Sequence, residues 1–340
     1  MTQSGDYPTI SVIVQVLNMK KTIRKTLESL IVLDYPKDRI EIIVVVGMSK
    51  DGTREIVKEY SVQMVDQEGK GLNSARNTGI KYSTGELLAY TDGDCVIPRD
   101  WAKKIANNFD DPVTGFVGGT MQGYDTRSIL SNYMDESFFQ VTPGFRFRIE
   151  TNDLRLMQFP AGANMAFRRR SLERVKYFDE NITYGFDDLQ PVEELGFKGF
   201  RIILDPEVRI LHQHRSTLRE LLKQHFNYGR GGTLLVIHKR TSVLASWYAG
   251  YLIFTSALIS VFAFLIYIGA KILHPLPFNI AAGTLGLFLA FDTLYYLPVV
   301  VKSGKIWKLF IYPALDLLRG FAFTLGGLYQ MVKSLGKKVF

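Results

Sequence analysis

Two apolar patterns alternate along the first hundred residues. Residues 9–17, "TISVIVQVL", form a continuous β-branched run, as in a strand buried on both faces. Residues 20–32, "KKTIRKTLESLIV", place Ile23, Leu27, Leu30 and Ile31 at helical spacing. After a turn at "DYPKD", residues 40–46, "IEIIVVV", read as a second buried strand. Residues 51–60 open a second helix, capped by Asp51 or Thr53. A short strand near 62–65, a helix near 72–82 and a strand at 86–91 continue the alternation. This order predicts an α/β domain whose parallel sheet is covered on both faces, with ligands at the carboxyl ends of its strands.

The pattern loosens from about 105 to 215. Short strands at 115–123, 163–169, 199–205 and 208–214 mix with helices and a loop-rich stretch around 125–158. Mixed strand pairing within the same domain is expected there. Residues 217–228 place Leu218, Leu221, Leu222 and Phe226 on one helical face, and residues 213–240 hold six Lys/Arg against one Glu. Such a basic amphipathic helix is expected to lie on a membrane surface; a solvated helix packed on the domain is the other reading.

Beyond residue 242 the chain becomes strongly apolar. Residues 243–270 carry no charged side chain, 276–301 carry only Asp292, and 306–332 carry Lys308, Asp316 and Arg319. Three membrane segments are expected, the third alternatively a re-entrant or interfacial pair of helices. Asp316 and Arg319, three residues apart, would pair on one face. The expected organisation is an α/β domain at 1–215, an amphipathic interfacial region at 216–242, membrane segments within 243–332 and a basic tail at 333–340.

Charge sharpens this division. The 340 residues carry a net charge of +8, yet residues 241–340 hold eight Lys/Arg and only two Asp/Glu. A segment both basic and apolar points to a membrane with anionic headgroups, and no basic, aromatic-interleaved surface points to nucleic acid. The single cysteine, Cys95, excludes an intrachain disulfide and fits a reducing compartment. Met1 to Tyr7 lack the basic start and apolar core of a secretory leader. Lys302, Lys305 and Lys308 fall on the same side as residues 213–240, which predicts a cytoplasmic N-terminal domain in a multi-pass protein of the cell membrane. Lys333, Lys337 and Lys338 oppose that rule if the third segment crosses.

The strand at 86–91 runs into Asp92-Gly93-Asp94. That triplet alone is a common turn, and "DGDCVIPRDWAK" lacks the ligand spacing of an EF-hand. At the ligand edge of a parallel sheet, two carboxylates suit Mg²⁺ or Mn²⁺ bridging diphosphate oxygens. Adjacent anions also call for a cation to balance them.

Six segments in order carry a resemblance: "TLESLIVLDYPKDRIEIIVVV" with "SKDGT"; "GKGLNSARNTGI"; "TGELLAYTDGDCVIPRDW"; "AGANMAFRRRSLERVKYFDE"; "GFDDLQPVEELGFKGFRI"; and "HQHRSTLRELLKQHFNYGRG". Over about residues 9–232 the chain resembles family 2 glycosyltransferases of the GT-A type with a C-terminal membrane anchor. It is most similar to the subgroup that builds exopolysaccharides or lipid-linked glycans. The resemblance implies a Rossmann-like mixed sheet, a nucleotide-diphosphate sugar donor, a lipid-linked acceptor and a divalent cation, Mn²⁺ or Mg²⁺. It implies that Asp92 and Asp94 hold the cation on the donor diphosphate, Asp94 as the direct ligand. His212 joins them as a third ligand, or instead closes a strand end.

Asp188 becomes the general base for inverting single displacement, with Asp187 replacing the usual Glu beside it; two aspartates before a helix also serve as a cap. Lys70 and Arg76 would supply charge or stacking near the nucleotide, with surface charge the other reading of Lys70. Gln224, Tyr228 and Arg230 resemble a motif that caps the site, or pack their helix. Two positions depart from the family. Val46 stands where an Asp usually reads the base, and Gln15-Val16-Leu17-Asn18-Met19 replaces Pro-x-Tyr-Asn-Glu. Gln15, Asn18 and Asp66 are the candidates left near the base. These departures also leave open a membrane-anchored nucleotide-sugar-binding protein without turnover, and, among enzymes, a polyprenyl-phosphate acceptor.

Overall fold

The computed structural model describes residues 7–125, 127–137, 145–153 and 160–336, which divide into two compact units. Described residues up to Asp135, and those from 145 to His214, form the first; Glu136, Ser137 and everything after His214 form the second. Lys337 and Lys338, on which part of the basic-tail expectation rests, lie outside the described residues.

In the first unit the predicted alternation is present. β1 (Ile10–Val16), β2 (Ile40–Val46), β3 (Gln63–Asp66) and β4 (Leu87–Asp92) run parallel in the order β3-β2-β1-β4. Every residue of β1 is buried, as a strand covered on both faces requires. Between them lie α1 (Ile23–Ile31), α2 (Thr53–Val57) and α3 (Leu72–Lys81). Ile23, Leu27 and Leu30 of α1 join the strand residues in the core. The helix expected at 51–60 is only five residues long. Asp51 explains its start: its Oδ1 accepts from Thr53 N at 3.1 Å and its Oδ2 from Lys20 N at 2.9 Å.

The second half of the sheet is mixed, as expected. β5 (Cys95–Val96), β6 (Thr114–Gly123), β7 (Ile149–Thr151), β8 (Met165–Arg168) and β9 (Arg201–His212) continue the order as β4-β8-β6-β9-β5, with β7 on β9. Only β6 and β9 pair parallel there. Helices α4 (Trp101–Asn107), α5 (Ile129–Glu136), α6 (Arg169–Arg174) and α7 (Leu189–Phe197) accompany them. Two expectations are corrected. The stretch around 125–158 contains α5 and β7, and the strands expected at 199–205 and 208–214 are one strand, β9. Their apparent break at Pro206 is a shift in the β6–β9 register between Gly118 and Thr120. Asn164 fills the gap: its Nδ2 donates to Thr120 O at 2.7 Å and Val208 O at 2.9 Å, while its Oδ1 accepts from Trp101 Nε1 at 2.8 Å.

The second unit is helical: α8 (Leu218–His238), α9 (Val243–Ile272), α10 (Pro275–Ser303) and α11 (Lys308–Gly336). Among the described residues, α9, α10 and α11 are long and apolar enough to cross a membrane, which points to membrane association. Leu273, Leu287, Val301 and Ile253 stand exposed on this unit, as lipid-facing residues would. The third segment is one continuous helix rather than a re-entrant pair. Helix α8 starts at a capping box of Thr217 and Glu220 and runs ten residues past its expected end. Its glycines explain the extension. A Cβ on Gly229 would sit 1.9 Å from Phe323 O of α11, and one on Gly326 would sit 1.9 Å from Phe226 O of α8. The two backbones touch there, as small residues permit. Arg319 and Asp316 approach to 3.9 Å, while Arg319 also donates to Ser137 Oγ at 2.9 Å and Asp316 accepts from Tyr296. Lys308 and Tyr312 both bond the Glu136 carboxylate, at 2.6 and 2.8 Å.

Asn164→Leu strands two strand carbonyls and an indole N–H in the core, at a cost of about 1–3 kcal/mol for each unsatisfied group. The detergent-solubilised full chain carrying this change should melt several degrees below the parent; an unchanged melting temperature would show that Asn164 does not hold the register shift.

Candidate active site

Parallel register brings the carboxyl ends of the first four strands to one edge of the first unit. Gln15 stands opposite Asp92, Val16 opposite Val46, and Val46 opposite Asp66. The chain leaves β4 at Asp92, turns at Gly93 and enters β5 at Cys95. A Cβ on Gly93 would lie 2.6 Å from Val16 Cγ1 and 2.7 Å from Met19 Sδ. The residue between the two aspartates is therefore glycine because the turn packs directly on the end of β1.

Cys95 pairs with His212 across β5 and β9, and Gln213 N donates to Asp94 O at 2.9 Å. This pairing delivers His212 to Asp94: His212 Nε2 lies 3.3 Å from Asp94 Oδ1, and both side chains are 9% exposed. Cys95 Sγ lies 4.0 Å from the same oxygen. The ligand atoms of Asp94, Cys95 and His212 all fall within 4.8 Å of one another. Burial first, then the charges of Asp92 and Asp94, push the Cys95 thiol well above its usual range. A carboxylate and an imidazole facing each other are donors suited to a divalent cation, so these residues fit one. Sequence reasoning named Asp94 and His212 and missed Cys95, whose signal is its register opposite His212.

The second acidic pair precedes α7. Asp187 is 5% exposed and accepts from Arg76 Nη1 at 2.5 Å; the same nitrogen donates to Asn73 Oδ1 at 2.8 Å. The Arg76 guanidinium stacks 5.2 Å over the Phe178 ring. The expectation that Arg76 supplies charge or stacking near the nucleotide is thereby corrected: it is 2% exposed and its charge goes to Asp187. Asn73 adds a donor to Asp187 O at 3.3 Å. It escaped the sequence reading, although its spacing of three from Arg76 places both on one face of α3.

Asp188 behaves differently from its neighbour. It occupies the N-cap position of α7, but its side chain makes no capping hydrogen bond. It lies against Gly162, where a Cβ would come within 2.3 Å of Asp188 Oδ2 and 3.1 Å of Arg76 Nη2. Burial raises the Asp188 carboxyl to about 6, Asp187 adds to the rise, Arg76 opposes it, and Asp92 contributes a smaller push upward. Two adjacent aspartates are thus separated, one locked to a guanidinium and one held near neutrality.

The other expected residues have settled places. Gln15 is buried; its Nε2 donates to Ile13 O at 3.1 Å, and its Oε1 is buried without a hydrogen-bond partner. Asn18 ties two loops together, its N donating to Ser49 Oγ at 3.0 Å and its Oδ1 accepting from Lys50 N at 2.9 Å. Asp66 is exposed and ion-paired with Arg54, and Lys70 is exposed on the loop before α3. Gln224, Tyr228 and Arg230 belong to the second unit. There Gln224 Nε2 donates to Tyr228 Oη at 2.8 Å, and Arg230 Nε donates to Gln330 Oε1 of α11 at 3.2 Å.

Residues 11–176 match the sequence model of the family described as Glycosyl transferase family 2. This stretch is a family 2 glycosyltransferase domain. The chain is 27% identical over 230 residues to glycosyltransferase AglE of Haloferax volcanii, covering 66% of this chain and 73% of that protein. It is 27% identical over 247 residues to the probable glycosyltransferase YdaM of Bacillus subtilis, covering 68% of this chain and 57% of that protein. Among solved structures it is similar to mannosyltransferase PcManGT from Pyrobaculum calidifontis in complex with GDP-Man and Mn²⁺. That similarity has a TM-score of 0.61 at 19% identity, over 97% of this chain and 89% of the other. The GT-A mixed sheet expected from the sequence is therefore present in this glycosyltransferase.

The raised Asp188 carboxyl has a thermodynamic sign. Between its unfolded pKa of about 4 and its folded value of about 6, the native state keeps a proton that the unfolded chain has released, so stability falls as pH rises through that window. Asp188→Asn should therefore melt higher than the parent at pH 7 in EDTA, and the gap should close toward pH 4. A gap that stays constant with pH would mean that Asp188 titrates normally.

Proposed function

We propose that this chain is a membrane-anchored, metal-dependent, inverting glycosyltransferase. It transfers a sugar from a nucleotide-diphosphate donor to a lipid-linked acceptor. The observation that carries this reading is the Asp188 carboxyl set against Gly162 beside the buried Asp187–Arg76 pair, in the unit whose sheet edge carries Asp94 and His212. Asp188 takes the proton of the acceptor hydroxyl as that oxygen attacks the anomeric carbon. A base whose pKa lies just below neutrality is ionised at working pH and still basic enough to accept. Asp187, neutralised by Arg76, keeps the neighbouring negative charge from raising Asp188 further. Asp94 and His212, with Asp92 beside them, would hold a Mn²⁺ or Mg²⁺ ion, which when bound neutralises the departing diphosphate.

The three long apolar helices support placing the reaction at a bilayer in a multi-pass protein, with the catalytic domain on the cytoplasmic side where positive loops remain. Confining enzyme and acceptor to one surface raises their effective concentration. A glycan hydroxyl and a polyprenyl phosphate are both acceptors of this class. Gln224, Tyr228 and Arg230 are candidates for acceptor contact, and Gln15 Oε1 for a polar contact with the donor.

Purified protein with lipid vesicles, Mn²⁺ and a donor panel including GDP-mannose, UDP-N-acetylglucosamine and UDP-glucose should release nucleoside diphosphate. Asp188→Asn should lower turnover by about 10²–10⁴-fold with donor binding retained. Parent activity should fall as pH drops through about 6. Full transfer by Asp188→Asn would remove it as the base, and donor binding with no release from any donor would leave a binding protein instead.

A further inference from the structure

Buried His214 and half-buried Asp135, both in the first unit, have no part in the mechanism above. His214 has a side chain that is 1% exposed, and its Nε2 lies 2.7 Å from Asp135 Oδ1. Its Nδ1 lies 3.0 Å from His212 Nδ1. With His212 Nε2 3.3 Å from Asp94 Oδ1, the four side chains form one line: Asp135, His214, His212, Asp94.

The line has a direction, because each imidazole nitrogen is either donor or acceptor. At the far end, the Asp135 carboxylate accepts from Gly123 N at 3.1 and 3.0 Å. A carboxylate held this way is an acceptor, so His214 Nε2 carries the hydrogen and donates to it. In a neutral ring His214 Nδ1 is then a lone pair. That lone pair accepts from His212 Nδ1–H, which makes His212 Nε2 a lone pair aimed toward Asp94. A lone pair opposite a carboxylate oxygen is unfavourable by itself and favourable once a cation sits between them. The backbone preserves the alignment as well. A Cβ on Gly123 would meet His214 Cδ2 at 2.8 Å and Asp135 Oδ2 at 2.9 Å, so a side chain there would push into the line.

We infer that His214 and Asp135 are positioning residues that fix the tautomer of His212, presenting its Nε2 lone pair to a divalent cation shared with Asp94. This rests on the reading of Asp94 and His212 as cation ligands. The general reason is that an imidazole ligand is oriented, and made more basic, by whatever accepts its other N–H. Here that acceptor is a second imidazole, itself oriented by a carboxylate. In sequence the signal is His212-Gln213-His214, since residues two apart along an extended chain share a face.

The test is a Mn²⁺ titration of the detergent-solubilised full chain, with free Mn²⁺ followed by electron paramagnetic resonance. Asp94→Ala and His212→Ala should lose binding. His214→Leu should weaken it by about tenfold or more, and His214→Asn, whose Oδ1 replaces the lost Nδ1 acceptor, should return to within about threefold of the parent. Parent-like binding by His214→Leu, with binding lost in His212→Ala, would overturn the positioning role and leave the cation site standing. Parent-like binding in both Asp94→Ala and His212→Ala would instead overturn the cation site, and this inference with it. A reading independent of substitution comes from ¹⁵N spectra of the parent with Mg²⁺, in which five histidines contribute. His212 must show a protonated Nδ1 and a bare Nε2; the opposite tautomer overturns the inference.

Discussion

The structure of the first unit is governed by a concentration of negative charge. Asp92, Asp94, Asp187 and Asp188 converge on one edge of the sheet, where burial makes each uncompensated anion expensive. The chain meets this constraint unevenly. Arg76 is spent on Asp187, in a buried pair braced by Asn73 and stacked on Phe178. Because one partner of the acidic pair is neutralised internally, the other can be held near neutrality without becoming permanently protonated. At the Asp94 end, the β5–β9 pairing instead brings His212 against the carboxylate, a donor set that suits a divalent cation.

Much of the fold was legible because its strongest elements are local. β1, β2 and β4 are continuous apolar runs, and their strand–helix alternation permits few arrangements besides a parallel sheet. What stayed hidden depends on partners distant in sequence. Pro206 reads as a break between two strands; only the Asn164 amide, bonding Thr120 and Val208 across the gap, allows one strand to continue. The glycines after Tyr228 read as the end of a helix. Gly229 is instead a point where α8 meets α11, and Gly232 one where it meets Tyr248 of α9; a contact with a helix some hundred residues away leaves no local signature.

The site shows the same division. Asp92 and Asp94 stand at the end of β4 as the strand pattern implies, whereas Asp188 is singled out by the family resemblance and not by its place before a helix. The surroundings of Asp188 could not be read, since they are set by Gly162 and Arg76, which sequence spacing does not connect to it. Arg76 illustrates the limit most clearly. The resemblance puts the Arg76 guanidinium near the nucleotide as charge or stacking, yet three-dimensional proximity gives it to Asp187. The buried Arg76–Asp187 pair joins α3 to the segment before α7, two segments distant in sequence.

The same logic bears on the base-reading position. Val46 is 1% exposed, and Asp66 beside it is committed to Arg54. No carboxylate at the ends of β2 and β3 is thus both present and uncommitted. What remains near β1 is a pair of loops locked to each other through Asn18, Ser49 and Lys50, and the buried Oε1 of Gln15. Rigid loops with backbone groups discriminate by shape, and a neutral amide oxygen can only accept. A base recognised here would be selected by its fit between the loops, with little of the penalty that a buried carboxylate imposes on a base lacking the matching donor.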